Sequence, residues 1–246
     1  MNAARSPIDE ARFGIRIART HLDEPAALSE VLNWCADESI AMLIARCSVE
    51  SITAVHALER HGARLMDTLI YFARDLDAAS AVHVADGVTL RPADDADAPG
   101  VETAARAAFT HYHGHYHADP RLDPALCDEG YVEWAVKACR APTPDAVMLV
   151  TIMNGQIAGF ATVRLNTPDE GEGVLFGVAP GFQGRGLYRM LLTGAIAWCV
   201  ERGAATMLYS TQITNIAAQT MMARLGFAFH HASYTFHLWL DEKETP

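Results

Sequence analysis

Apolar residues follow two different spacings over the first third of the chain, and this predicts alternating strands and helices. Two segments place apolar residues three and four positions apart, as on one face of a helix, and three others are short apolar runs typical of strands. In chain order these elements are a strand at 13–18, a helix at 26–36, a strand at 39–46, a helix at 49–61 and a strand at 65–76. The pattern predicts an N-terminal α/β half, which we assign to residues 1–80.

A turn-rich stretch separates this half from the rest of the chain. Asp86-Gly87 and the run from Arg91 to Gly100 are rich in residues that interrupt regular structure, so we place a boundary at 77–86. Beyond it, residues 85–246 alternate strands and helices again, and Asn154-Gly155 predicts a hairpin. The predicted elements are a strand at 88–91, helices at 93–109 and 122–139, strands at 146–152, 156–164 and 173–178, a helix at 184–202, a strand at 205–210, a helix at 214–225 and a strand-like segment at 227–240. This order predicts a mixed α/β (α+β) layer fold.

Composition narrows the class of protein. Half of the 246 residues are hydrophobic, which is enough for a large core, and the net charge of −11 provides no general attraction for nucleic acids. The five cysteines are odd in number and include no CxxC pair, which argues against a disulfide framework and a structural zinc site. No apolar run is long enough to span a membrane. We expect a cytoplasmic protein that binds neither nucleic acid nor membranes.

A glycine-rich turn carries the main chemical signal. An apolar strand ends at Val178, and the turn that follows contains Gly181, Gly184 and Gly186 before a long helix begins. The first amides of a helix have no partner within the helix, and together with the helix dipole they form an anion site that suits a pyrophosphate. The turn has neither the GxGxxG spacing of a Rossmann fingerprint nor the GK[ST] ending of a P-loop. An ordinary loop at the start of a helix is the alternative interpretation.

Two segments in this part of the chain resemble the GNAT superfamily of acyl-CoA-dependent N-acyltransferases. Gln183 and Gly186 match the Q/R-x-x-G-x-G/A motif, and the segment 215–227 matches N-x-x-A…G-F. The resemblance covers residues 85–240 and implies a mixed sheet, flanked by helices, that splays open between its fourth and fifth strands. It implies acetyl-CoA as the co-substrate in the resulting cleft, with no need for a metal.

The resemblance also implies which residues contact acetyl-CoA. The pantetheine arm would pair with the fourth strand like an added strand, and the amides of the glycine turn would hold the pyrophosphate. The residues so assigned are Phe176, Gly177, Val178, Gln183, Gly184, Arg185, Gly186, Leu187, Tyr188 and Asn215. Tyr188 stands where the superfamily has a small residue, so its side chain either crowds a phosphate or points away from it.

The proton donor for the leaving thiolate is a second departure. Met222 occupies the position at which the superfamily usually has a tyrosine, and methionine cannot donate a proton. A narrower resemblance, to dTDP-fucosamine acetyltransferases, implies Tyr234 in the last strand as the general acid. These enzymes acetylate the 4-amino group of a dTDP-linked 4-amino-4,6-dideoxygalactose. The backbone N–H of Val178 would stabilise the oxyanion, and the proton acceptor stays open among a water chain, His230, His231, Glu170 and Glu172.

Four histidines alternate in the loop at 110–120. The narrower resemblance places acceptor contacts in this loop, so we assign substrate binding to His111, His113, His115 and His117. A metal site is the alternative, because alternate residues of a strand share a face. Cys199 and Trp134 are expected to pack in cores.

These observations predict an acetyl-CoA-dependent N-acetyltransferase that acts on a primary amine of a small molecule. The favoured acceptor is a dTDP-linked 4-amino-deoxysugar, and a small amine, an amino acid or an antibiotic is the alternative acceptor. Two other classes stay open: a non-catalytic acyl-CoA-binding or sensor module, and a metal-binding protein built on the histidine loop. The N-terminal half is interpreted as a degenerate copy of the same fold, which shapes the acceptor site or a homodimer.

Overall fold

The computed structural model describes residues 2–76, 82–84, 86–110 and 112–240. Its strands are β1 (Ala3–Arg5), β2 (Ile17–His21), β3 (Met42–Ser48), β4 (Arg64–Asp75), β5 (Val88–Pro92), β6 (Ala146–Met153), β7 (Gln156–Thr167), β8 (Glu170–Val178), β9 (Thr206–Gln212) and β10 (Ala228–Trp239). Its α-helices are α1 (Pro7–Phe13), α2 (Ala27–Asp37), α3 (Ile52–Arg60), α4 (Ala98–Phe109), α5 (Pro124–Arg140), α6 (Leu187–Glu201) and α7 (Ile216–Arg224). None of the helices in these ranges is long and apolar enough to cross a membrane.

The ten strands form one mixed sheet in the order β1-β2-β3-β10-β4-β9-β8-β7-β6-β5. Strand β10 lies between β3 and β4 and pairs antiparallel with both. Strand β4 in turn pairs with β9, so the sheet is continuous from one end to the other. The predicted mixed α/β fold is therefore confirmed. Part of the proposed boundary, residues 77–81 and 85, lies outside the described residues.

Helices cover both faces of this sheet. Helices α6 and α7 bury their apolar residues against β6–β9, and α2 and α3 pack against β2, β3 and β10. On β4, Phe72 contacts the first of these clusters, and Thr68 pairs with Tyr234, which contacts the second. Phe72 and Thr68 are an even number of positions apart, so their side chains lie on the same face of the sheet. Both clusters therefore lie on one face, and α1, α4, α5 and the histidine loop cover the other.

The N-terminal segment differs from its prediction. The sequence pattern predicts a strand at 13–18, but Phe13 ends the short helix α1 and the strand β2 begins only at Ile17. Pro7 occupies the first turn of α1, with Asp9 and Glu10 after it, as is common at helix starts. Gly14 ends the helix in the left-handed conformation, with φ of 69°. The seven-residue helix was too short to show a clear helical period.

The sheet opens between β8 and β9, as the resemblance implied. These parallel strands pair only from Glu170 to Gly173 on β8 and from Thr206 to Tyr209 on β9. Beyond that point β8 continues to Val178 while paired with β7 alone, and β9 continues to Gln212 while paired with β4 alone. The two strand edges that face each other across this splay keep unpaired backbone groups.

Candidate active site

The open end of the splay leads into the glycine turn and the start of α6. Gly184 and Gly186 both adopt left-handed conformations, with φ of 75° and 79°, and Gly186 is the N-cap of α6. The side chain of Gln183 donates a hydrogen bond to the Val178 carbonyl at 3.3 Å, which ties the turn to the end of β8. Residues 183–186 are exposed, so the first amides of α6 are accessible to an anion.

The other residues assigned to acetyl-CoA surround this turn. Phe176, Gly177 and Val178 lie on the part of β8 that is unpaired on the β9 side. Leu187 is buried in the core beneath the turn, so only its backbone is available to a ligand. Asn215 caps α7 by accepting a hydrogen bond from the Ala218 amide at 3.1 Å, and it lines the cavity in the splay.

Tyr188 points away from the turn and into the splay. Its ring centroid lies 5.9 Å from that of Phe176, and its hydroxyl lies 2.5 Å from the hydroxyl of Tyr209. Burial raises the pKa of Tyr188 to about 12, so this hydroxyl stays protonated at neutral pH. Tyr188 therefore occupies the space under the splay and does not crowd the glycine turn.

A cavity of about 480 Å³ lies where β8 and β9 separate. One wall consists of aromatic side chains from α4, α5 and the connection between them, which are Phe109, Tyr112, Tyr131 and Trp134. The prediction that Trp134 packs in a core is wrong, because its side chain is 40% exposed at the edge of this wall. The opposite wall comes from the N-terminal half, through α1, β2, β3 and β4. Residues from both halves of the chain thus enclose one site.

Most charged side chains on the cavity wall are paired. Asp9 is fully buried and accepts hydrogen bonds from Arg19 at 2.8 Å, Ser6 at 2.5 Å and Tyr116 at 2.7 Å. Burial alone would raise the pKa of Asp9, but Arg19 and these hydrogen bonds outweigh it and hold the pKa below its ordinary value. Arg12 lies 3.6 Å from Asp9, so two arginines share this carboxylate.

His115 is the one assigned histidine that the described structure places in the cavity lining. Its Nδ1 lies 2.8 Å from Nε2 of His237, and Nδ1 of His237 lies 2.8 Å from the Asp119 carboxylate. Since an ionised carboxylate can only accept, Nδ1 of His237 donates to Asp119. With both rings neutral, Nε2 of His237 then accepts from Nδ1 of His115. Nε2 of neutral His115 is then left as an acceptor. Burial lowers the pKa of His115 well below its ordinary value, and His237 acts in the same direction.

The other histidines of the loop have different surroundings. His117 accepts a hydrogen bond from the Gly114 amide at 3.2 Å and lies 3.1 Å from Asp128. Neither His113 nor His117 lines the cavity, and His111 lies outside the described residues. Across the described ranges, no three His, Cys, Asp or Glu side chains are grouped so that they could hold a metal ion.

Tyr234 lies on the sheet face opposite the cavity. It pairs with Cys47 and Thr68, and its ring packs against the core formed by α2, α3 and β10. Met222 is fully buried, as a packing residue would be. The structure therefore brings neither residue to the cavity lining, and the role assigned to Tyr234 stays a prediction.

The residues considered as proton acceptors are also dispersed. Glu172 lines the cavity, but Arg164 pairs with it at 2.5 Å. The rings of His230 and His231 contact each other through their Nδ1 atoms, at 2.6 Å, and are not part of the lining. Glu170 accepts a hydrogen bond from Asn166. Arg46, Asp67 and Tyr209 also line the cavity. They could not be predicted from the sequence, because their positions depend on strand pairing across the whole chain.

The described arrangement is the fold that the sequence resemblance implies. A mixed sheet opens between two parallel strands, with a glycine turn and a helix N-terminus at the open end. Residues 106–227 match the family model described as Acetyltransferase (GNAT) family. The segment begins within α4 and ends just before β10.

Two relatives and one solved structure extend the comparison. The chain is 29% identical over 150 residues to the spore coat polysaccharide biosynthesis protein SpsD of Bacillus subtilis (strain 168), covering 61% of this chain and 50% of that protein. It is 30% identical over 165 residues to the mycothiol acetyltransferase of Nocardia farcinica (strain IFM 10152), covering 62% of this chain and 49% of that protein. The chain thus spans about half the length of these relatives.

A GCN5-related N-acetyltransferase from Sphaerobacter thermophilus has a similar solved structure, with a TM-score of 0.63 at 18% identity. The match covers 96% of this chain and 75% of that one, so it includes the N-terminal half as well as the segment that carries the family motifs. It shows the fold.

Proposed function

We propose that the protein transfers an acetyl group from acetyl-CoA to a primary amine of a small molecule. The observation that carries this proposal is the splay between β8 and β9, whose unpaired strand edges lead from the glycine turn to the cavity. An extended pantetheine arm can pair with the free edge of β8 as an added strand would. The exposed amides at the start of α6 then face the pyrophosphate, and residues 176–178 and 183–188 with Asn215 form the binding surface.

The reaction is a direct transfer. The nitrogen of the neutral amine forms a bond with the thioester carbon, the carbon–sulfur bond breaks, and the amine proton leaves. In sum, an ammonium ion and acetyl-CoA become an amide, coenzyme A thiol and a proton. We assign stabilisation of the developing oxyanion to the N–H of Val178, at the unpaired end of β8.

The leaving sulfur needs a proton donor. Tyr234 is the residue that the sequence resemblance implies, but its ring lies on the far face of the sheet. Tyr188 and Tyr209, in contrast, line the cavity at the splay. The proposal therefore does not depend on Tyr234.

The favoured acceptor is an amino group on a nucleotide-linked deoxysugar, such as a dTDP-linked 4-amino-deoxysugar. Arginines on the cavity wall suit a diphosphate, and the similarity to SpsD, a spore coat polysaccharide biosynthesis protein, supports a sugar. The similarity to mycothiol acetyltransferase supports another small amine instead. The homodimer considered from the sequence stays a prediction.

Acetyl-CoA binding and thiol release test this function separately. Calorimetry should show one acetyl-CoA site per chain, and a primary amine should then release free thiol, detected with a chromogenic thiol reagent. All five cysteines are buried, so the folded protein contributes little background to this assay. Binding of acetyl-CoA without thiol release from any amine in a broad panel would favour the sensor module, and no binding at all would overturn the proposal.

A further inference from the structure

Three polar side chains form a row on the cavity side of the sheet. The register of β10 places Thr235 directly opposite Arg46 of β3 on one side and Asp67 of β4 on the other. Side chains that face each other across paired strands share one face of the sheet, and both Arg46 and Asp67 line the cavity. The row thus runs across three neighbouring strands from the N-terminal half, through β10, towards the splay.

Each member of this row has a buried polar atom without a hydrogen-bond partner among the described residues. These atoms are Nε of Arg46, Oγ1 of Thr235 and Oδ1 of Asp67. A buried polar or charged group without a partner is costly. Three such atoms in one cross-strand row, beside a cavity, indicate groups that are satisfied by a ligand.

The two charges of the row are also unpaired, unlike their neighbours. Asp9 compensates Arg19, and Glu172 compensates Arg164. Within the described ranges, Arg46 and Asp67 form no ion pair, although their Cα atoms should be only about 10 Å apart across two strand spacings. A small molecule that carries both a positive and a negative group can therefore contact Asp67 and Arg46 at the same time.

Asp67 is the end of the row that lies near the splay. Its Oδ2 accepts a hydrogen bond from Gln212 at 3.2 Å, which leaves Oδ1 available. Gln212 is the last residue of β9 and lies three positions beyond Tyr209, where pairing with β8 stops. An ammonium group bound to Oδ1 would therefore lie beside the opening through which the thioester enters.

Arg46 is the end of the row that lies deeper in the N-terminal half. A guanidinium group binds phosphate or carboxylate oxygens with two parallel hydrogen bonds, which makes it suited to an anionic group. The other arginines that line the cavity are paired, Arg12 and Arg19 with Asp9 and Arg164 with Glu172, so among the described residues Arg46 is the lining arginine that remains for such a group.

We propose that the acceptor is a primary amine whose molecule also carries an anionic group, a phosphate or a carboxylate. Oδ1 of Asp67 accepts a hydrogen bond from the ammonium group, and the guanidinium of Arg46 binds the anion. This inference rests on the proposed function. It excludes purely cationic acceptors such as polyamines as good substrates.

Matched pairs of amines test the inference, since one member of each pair carries the anionic group and the other does not. D-galactosamine 1-phosphate against D-galactosamine tests phosphate, and L-phenylalanine against L-phenylalaninamide tests carboxylate. In at least one pair, kcat/KM for thiol release should be roughly 10-fold or more higher for the anionic member, because hydrogen bonds to charged groups are strong. The pair that shows the preference identifies the anion.

Variants connect this preference to the row. Arg46→Gln should abolish the preference by lowering kcat/KM for the anionic member to the level of the member without the anion. Asp67→Asn should lower kcat/KM for both members without changing the KM for acetyl-CoA. Arg164→Gln, which removes a cavity arginine already paired with Glu172, is the matched control and should keep the preference. Melting temperatures of the variants establish that they fold.

Two results would overturn the inference: equal kcat/KM within both pairs, or a preference that survives Arg46→Gln. If acetyl-CoA binds but no amine releases thiol, the proposed function fails by itself. Calorimetric binding of D-galactosamine 1-phosphate then decides about the row. If Arg46→Gln abolishes this binding, the result supports the row as an anion site. If the parent protein does not bind D-galactosamine 1-phosphate, or if Arg46→Gln leaves the binding unchanged, the inference is overturned.

Discussion

The hydroxyl oxygens of Tyr188 and Tyr209 lie 2.5 Å apart and connect the first turn of α6 to the last residue of β9 that pairs with β8. This contact fills the space beneath the splay with two aromatic rings. It also explains why a large residue is tolerated where a small one is expected, since the ring points into the sheet and leaves the turn accessible.

Removing one of these hydroxyls should destabilise the protein. Tyr188→Phe leaves the buried Tyr209 hydroxyl without its partner, so the free energy of unfolding should fall by about 1–3 kcal/mol. Urea denaturation measures this change. In a double-mutant cycle, Tyr188→Phe with Tyr209→Phe should cost less than the two single changes added together. Additive costs would show that the hydroxyls do not interact.

The glycine turn should be sensitive at Gly186 and tolerant at Gly181. A side chain at Gly186 must adopt φ near 79°, which costs roughly 1–2 kcal/mol. The added Cβ would also lie 3.4 Å from the His83 ring. We expect Gly186→Ala to weaken acetyl-CoA binding several-fold in calorimetry.

Gly181→Ala is the matched control in the same turn. Gly181 has an ordinary backbone conformation, and an added Cβ would meet nothing within 4 Å. The affinity for acetyl-CoA should therefore be unchanged. Equal losses in the two variants would mean that the turn does not bind the co-substrate through its backbone conformation.

Tyr234→Phe should leave kcat unchanged. Its ring packs against the core of α2 and α3 on the face away from the cavity, so its hydroxyl is not placed to reach a leaving sulfur. Steady-state thiol release from the variant and the parent protein measures this. A large fall in kcat with an unchanged KM for acetyl-CoA would instead support the role that the sequence resemblance assigns to Tyr234.

The free energy of unfolding should decrease as the pH falls below about 6.5. Burial keeps His115 neutral in the folded protein, with a pKa well below its ordinary value, whereas the unfolded chain takes up a proton near that value. The unfolded state therefore binds more protons, and stability is lost towards acid, by at most about 1.4 kcal/mol per pH unit for one group.

Urea denaturation at pH 7 and pH 5 tests this dependence. His115→Gln should reduce the difference in unfolding free energy between the two pH values, and the same change at exposed His56 should not. An unaltered difference in the His115 variant would show that another group is responsible. Asp119, whose pKa is held low by hydrogen bonds that outweigh its burial, contributes only at more acidic pH, below about 3.8.

Local patterns in the sequence were sufficient to predict the elements around the splay. The glycine turn and the Asn215 segment depend on short-range geometry, which residues close in sequence determine, so their positions agree with the structure. The splay followed from the family resemblance that these motifs carry. In contrast, α1 was missed because a seven-residue helix with a proline start shows no clear period.

The acceptor side of the site could not be predicted in the same way. His115 contacts His237 across 122 positions of sequence, and the row from Arg46 to Asp67 exists only because β10 pairs with both of their strands. Alternation along β10 separates Tyr234 from Thr235, but it does not indicate which face is covered by a core and which faces the cavity. Long-range pairing decides that.

The central position of β10 has a consequence for how the polypeptide is made. Its neighbours β3 and β4 leave the ribosome long before it does, and each then has an unpaired edge that can associate with other chains. The sheet can close only after β10 has emerged. The pairing of β10 with β3 and β4 joins residues that are far apart in sequence, and such contacts slow folding. We therefore expect this protein to need a chaperone while its N-terminal half has been synthesised and β10 has not.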